Sequence, residues 1–220
     1  MVNKFSGKHM IDLATHAFIL LFVVIDPIGL APIFAALTGG ESEAYRSRTA
    51  IRGVVIAGVI LIVFTLSGAI LLQYLNINTA SFSIAGGILL FLLAMDMVLV
   101  RHTGLRLTTL REHEEALHKN DISVFPLAIP MIAGPGALTT ILLLRDAPVL
   151  SLQTLVLVCV LIVVLALALI MLLLAGKITG LLGETGANVI TRVLGVILTA
   201  LAIQYILNGL LVTFPTLAGH

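Results

Sequence analysis

The chain has 220 residues, of which 60% are hydrophobic and 10% charged, and its mean hydropathy is +1.18. Soluble domains carry about 25% charged residues to keep their surface in water, so this composition excludes a soluble globule and marks an integral membrane protein. A formal net charge of +1 gives no basis for a nucleic-acid partner, and the lone Cys159 excludes an intramolecular disulfide.

A bilayer core about 30 Å thick needs roughly 20 apolar residues per crossing helix. The first candidate span, 11–37, is interrupted in FVVIDPIGLAPIF (22–34), where Asp26, Pro27 and Gly29 follow an apolar run. Lys4, Lys8 and the small residues at 36–38 resemble a signal peptide, but the Asp26-Pro27 break falls where its apolar region should continue. No cleavage is expected. Residues 53–95 carry no charge, and YLNINTAS (74–81) divides them into predicted helices over 52–73 and 79–99. A charged loop, 101–122, follows. Its HEEALH stretch (113–118) sets His113 and His118 five residues apart, on diverging helix faces, whereas a zinc-protease helix needs them four apart. The fourth span, 124–145, contains FPLAIPMIAGPGALTTILLL and is interrupted at Pro130, Gly134, Pro135 and Gly136. Apolar runs at 152–175 and 190–212 complete six spans. The expected fold is an all-α polytopic membrane protein, one membrane domain over 1–220.

With six spans, one side of the membrane carries Lys4, Lys8 and Arg145, three basic residues, and the other carries nine, from Arg46 to Arg192. Cytoplasmic loops are the richer in Lys and Arg. The loop at 101–122 is therefore predicted to be cytoplasmic, with both termini outside.

Shifted by 108 residues, the chain meets itself: Pro27 falls on Pro135, Gly68 on Gly176, Gly87 on Gly195, Ala94 on Ala202 and Asp96 on Gln204. One offset serves three helices without a gap. Repeat one then covers about 11–100 and repeat two about 123–213. Three spans per unit is an odd number, so the second unit enters the membrane from the opposite side, giving a 3+3 inverted repeat with helices 1 and 4 broken at their Pro/Gly motifs. That is an architecture of secondary transporters. In hydrocarbon, irregular backbone persists only where it lines a cavity or finds partners. Two breaks facing each other would present half-helix N-termini, with free N–H groups and positive dipole ends, to a small polar pocket. Asp26 at mid-depth costs roughly 2.5–3.5 kcal/mol on an insertion scale and belongs in such an interior. Aspartate is also a preferred N-cap, so accepting N–H bonds around Ile28 and Gly29 is an equally physical role. The two are compatible.

DPIGLAPIF, PLAIPMIAGPGA and LLGETGANVITRVLGVIL (181–198), in this order and spacing, resemble the MarC family of bacterial and archaeal membrane proteins, over about residues 12–212. Asp26, Pro27 and Gly29 match its Asn/Asp-Pro-x-Gly motif; Ala133, Gly134 and Pro135 match its Ala-Gly-Pro core. The family includes transporters of small neutral amino acids such as glycine and alanine, and the resemblance implies that role in the inner membrane. A zwitterion of that size needs donors for its carboxylate, sought at Gly29 and Gly136, and acceptors for its ammonium, sought at Asp26 and the carbonyls near Ile25 and Ala133. Thr139 and Thr140 are further candidates, although threonines in membrane helices often bond their own i−4 carbonyl.

Asp96 suits an interfacial pair with Arg101 or, more sharply, proton passage beside Asp26. Gln204 suits an interhelical hydrogen bond, Arg192 an interfacial anchor or a pair with Glu184, and Gly176 with Gly180 a close helix contact. No nucleophile–base pair, phosphate loop or redox motif is present, so neither enzymatic activity nor a cofactor is expected, and no metal. Coupling to H⁺ or Na⁺ and oligomeric state stay open. So do two neighbouring functions, export of other small metabolites and a passive channel with re-entrant half-helices.

Overall fold

The computed structural model describes residues 7–99, 122–144 and 151–214. Lys4, most of the charged loop with Arg101 and HEEALH, and Arg145 lie outside them. The described residues form eight helical segments: α1 (Gly7–Ile25), α2 (Pro27–Leu37), α3 (Glu43–Tyr74), α4 (Thr79–Leu99), α5 (Ser123–Ile132), α6 (Pro135–Leu144), α7 (Leu152–Leu173) and α8 (Ala175–Thr213). Among these residues there is no strand. Five stretches are long and apolar enough to cross a bilayer, one of them Met10–Leu37, which joins α1 and α2; α5 and α6, meeting at a 46° bend, make a sixth.

Helix limits differ from the apolar runs for a local reason. α3 begins at Glu43 rather than 52 because Ser42 caps it, its hydroxyl accepting the Tyr45 N–H at 3.3 Å. A capped, charged first turn is helical outside the bilayer as readily as inside. α8 likewise begins well before 190, and Gly183, at φ +64°, ψ 171°, marks where its first turns change direction. α5 is wide-wound: Leu127 N–H reaches Ile122 O and Ala133 N–H reaches Ala128 O, both across five residues, and Phe125 and Ile129 leave helical geometry. Pro126 and Pro130 follow those two residues and disfavour the α conformation in them.

The α1–α2 span is central. In its most apolar window 67% of residues are buried, against 22–33% in α3, α4, α7 and α8. Fully buried Leu20, Leu21, Ile25, Leu30 and Phe34 pack there, with Ile132 and Ile141 from the α5–α6 pair. Around this centre α1 packs on α7 and α5 on α3; α2 packs on α8 and α6 on α4; α2 also touches α7, and α6 touches α3. The most extensive contact is α4 on α8. Glycines allow it: a Cβ on Gly87 would lie 2.8 Å from Ala202 O, and one on Gly195 would lie 3.1 Å from Ala94 O. Lipid tails are as apolar as leucine, so such close packing, rather than the hydrophobic effect, holds membrane helices together.

Two expected contacts fall elsewhere. Gln204 is exposed and bonds Asn208 of its own helix rather than a neighbour. Nothing lies within 4 Å of a Cβ built on Gly180, and Gly176 approaches Arg46 rather than a helix backbone; they do not form a close contact as a pair.

Replacing Gly87 or Gly195 by Val should lower stability by about 1–3 kcal/mol through overpacking, read as a fall in Tm of the detergent-purified protein. Gly180→Val should stay within about 0.5 kcal/mol of the parent.

Candidate functional site

Asp26 stands alone between α1 and α2 at φ 50°, ψ 64°. Aspartate and asparagine enter this left-handed region more readily than other side chains. The ladder of backbone bonds continues past it, Asp26 N–H to Phe22 O at 2.9 Å and Leu30 N–H to Asp26 O at 3.0 Å. Pro27 in the next position has no N–H to leave unsatisfied. The Asp26 side chain is fully buried. Its Oδ1 accepts the Gly29 N–H at 3.0 Å, and its Oδ2 accepts the Thr191 hydroxyl of α8 at 3.3 Å. The capping role expected of Asp26 is therefore filled at Gly29. The same bond engages the N–H that was expected to meet substrate. A Cβ on Gly29 would overlap the Asp26 carboxylate and lie 2.7 Å from Thr191 Oγ1; only glycine leaves room for both.

The second cluster gathers where α5 meets α6. A Cβ on Gly134 would overlap the Pro130 carbonyl, and one on Gly136 would lie 2.6 Å from Leu93 Cδ2 and 3.2 Å from Val24 Cγ1. Val24, Leu93, Pro130, Gly134, Gly136 and Ala137 are among the residues around a cavity of about 10 Å³, room for one water molecule and no more. As first-turn residues of α6, Gly136 and Ala137 have N–H groups with no acceptor inside the helix, and both border this cavity. Pro135 borders it as well, whereas Asp26 and Ala133 do not. The predicted residues thus form two clusters, linked through the end of α1 at Val24 and Ile25.

Thr139 is buried with its methyl against Gly86 of α4. Thr140 is wholly buried, and among the described residues its Oγ1 is the one buried side-chain oxygen or nitrogen without a hydrogen-bond partner. The expected bond to its own i−4 carbonyl is absent there, although Thr38, Thr65, Thr179, Thr199 and Thr213 each make one. An orphaned hydroxyl costs about 1–3 kcal/mol and asks for a water or ligand. Asp96 is half-buried near the end of α4, and Arg192 is exposed; Arg101 and the Glu184 side chain lie outside what is described.

Thr191 is the residue that sequence reasoning missed. Its contact with Asp26 spans 165 positions. One signal was available: Thr191, Gly195, Leu198 and Ala202 recur at helical spacing, and the last three are buried where α8 crosses α4, so a hydroxyl on that stripe points inward.

A family profile described as "MarC family integral membrane protein" matches residues 11–214. The chain belongs to the MarC family. Similar relatives in that group include a UPF0056 membrane protein of Archaeoglobus fulgidus, 35% identical over 88% of this chain and 90% of its own length. The UPF0056 membrane protein YvbG of Bacillus subtilis is 35% identical over 96% of this chain and all of its own, and one of Aquifex aeolicus is 33% identical over 88% and 90%. No solved structure matches this chain. For this MarC family member, as for its relatives, a multi-pass membrane protein is what composition, helix lengths and kinship agree on.

Asp26→Leu should destabilise by roughly 2–4 kcal/mol, losing the cap and forcing a bulky side chain into left-handed backbone, whereas Asp26→Asn keeps both and stays near the parent in detergent unfolding. Thr140→Val should raise Tm, because it replaces the orphaned hydroxyl by a methyl of the same shape.

Proposed function

We propose that this MarC family member is a secondary transporter of small neutral amino acids, glycine and alanine foremost, working by alternating access in the inner membrane. The observation that carries this reading is the exchange symmetry of the packing. Swap the first three spans for the last three and several of the main contacts map onto one another, α1 on α7 with α5 on α3, and α2 on α8 with α6 on α4, whereas among the described residues the contact of α1 with α6 has no comparable counterpart. The offset of 108 residues equates Gly87 with Gly195 and Ala94 with Ala202. Gly87 faces Ala202 and Gly195 faces Ala94, the two equated pairs in reciprocal contact. Such reciprocity supports a 3+3 inverted repeat, with Asp26-Pro27 and Gly134-Pro135 as its two discontinuities.

The substrate site lies between those discontinuities. Gly136 and Ala137 offer N–H groups to a carboxylate, with Gly134 and Pro135 shaping the turn. Thr140, one turn further along α6, supplies an unengaged hydroxyl, and Thr139 its neighbouring wall. Ala133 adjoins Gly134 with its carbonyl as an acceptor. Asp26, Pro27 and Gly29 lie beyond the end of α1, outside the closed cavity. They reach the site only as it opens, when the Asp26 carboxylate exchanges Thr191 for the substrate ammonium or carries a coupling proton with Asp96. Walls with no space for a Cβ at Gly136 suit the smallest side chains. The cavity of about 10 Å³ cannot hold even glycine, so one repeat must rock against the other to admit it. By the positive-inside bias the 101–122 loop is cytoplasmic and both termini are outside.

Counterflow of glycine and alanine in liposomes holding the purified protein tests this. Saturable exchange is expected, lost in Gly136→Leu and shifted in affinity or pH dependence in Asp26→Asn; imposed H⁺ or Na⁺ gradients then identify the coupling ion. Flux that never saturates would make the protein a channel. Exchange that is unchanged in both variants would reject the site.

A further inference from the structure

The outward faces of the outer helices differ in chemistry. On α3 the exposed side chains include Val55, Val59 and Val63, and on α7 Leu155 and Ile162. The hydroxyl of exposed Ser67 on α3 is engaged by Val63 O at 2.8 Å. On α8, Gln204 and Asn208 are exposed one turn apart, with Gln204 Nε2 donating to Asn208 Oδ1 at 2.9 Å. Each amide carries two N–H donors and an oxygen with two lone pairs, so one shared bond leaves Gln204 Oε1 and the Asn208 N–H groups with capacity. Gln204 stands nine residues before the end of α8 at Thr213, about 14 Å at 1.5 Å per residue, with Leu207, Leu210, Leu211 and Val212 beyond it. That depth is within hydrocarbon, where lipid supplies no hydrogen-bond partner. Ala200, exposed one turn before Gln204, lets another backbone come close.

We infer that the Ala200–Gln204–Asn208 face of α8 is the interface of a homodimer, in which the amide pair of one copy bonds the same pair of a second copy. The chemistry selects the occupant. An amide pair is self-complementary in donors and acceptors, which a twofold interface requires because the same patch must recognise itself. Interhelical amide bonds are a common means of association in membranes. The inference does not depend on what the protein transports.

The experiment uses the full chain in proteoliposomes, with Cys159→Ser removing the native thiol. Ala200→Cys in that background should oxidise to an adduct of twice the chain mass, whereas Val59→Cys on the apolar face of α3 should not. In the native-cysteine protein, Gln204→Leu with Asn208→Leu should weaken dimerisation on lipid dilution by about tenfold, while Tm, set by the unaltered interior, holds. A monomeric parent, equal cross-linking at both cysteines, an adduct of any other mass, or a double variant that dimerises like the parent would each overturn the proposal.

Discussion

A carboxylate buried in the membrane interior organises this structure. The Asp26 side chain is fully buried, and it binds the first turn of α2 through Gly29 and the face of α8 through Thr191. Both bonds strengthen in a low-dielectric interior, and an unpaired charge there would be costly. The central span is thereby attached to the helix that makes the most extensive crossing in the molecule. Where α2 starts, how closely α8 approaches, and why residue 29 lacks a side chain all follow from that one group.

The α5–α6 junction, bent by 46°, meets the same need without a charge. Where the break at Asp26 uses a carboxylate to satisfy an N–H, this junction uses five-residue backbone bonds and leaves the first N–H groups of α6 beside a small cavity. The two ends of the proposed repeat are therefore unequal in chemistry although similar in packing.

The crossing of α4 and α8 shows how small residues set geometry in a membrane. With no aqueous phase to drive apolar surfaces together, contact is gained by letting backbones approach. Gly87 and Gly195 each face the carbonyl of an alanine on the other helix.

Much of this was legible in the residues. Composition required a membrane protein, because hydrocarbon tolerates few charges, and span positions followed from the length a bilayer imposes. Proline and glycine act through local backbone sterics, so the special positions at 26–29 and 134–136 could be read directly, as could the cap on Gly29. Helix limits were less legible, because polar turns at 43–51 and 175–189 extend helices beyond the apolar runs. What only the tertiary structure decided were the contacts between distant segments. Thr191 meets Asp26 across 165 positions, the Asp26 carboxylate turns toward α8 rather than into the cavity beside Gly136, Thr140 forgoes its helical bond, and Gln204 faces outward. The physical reason is that hydropathy and backbone preference are local, whereas the direction a polar side chain faces is set by which helices pack around it.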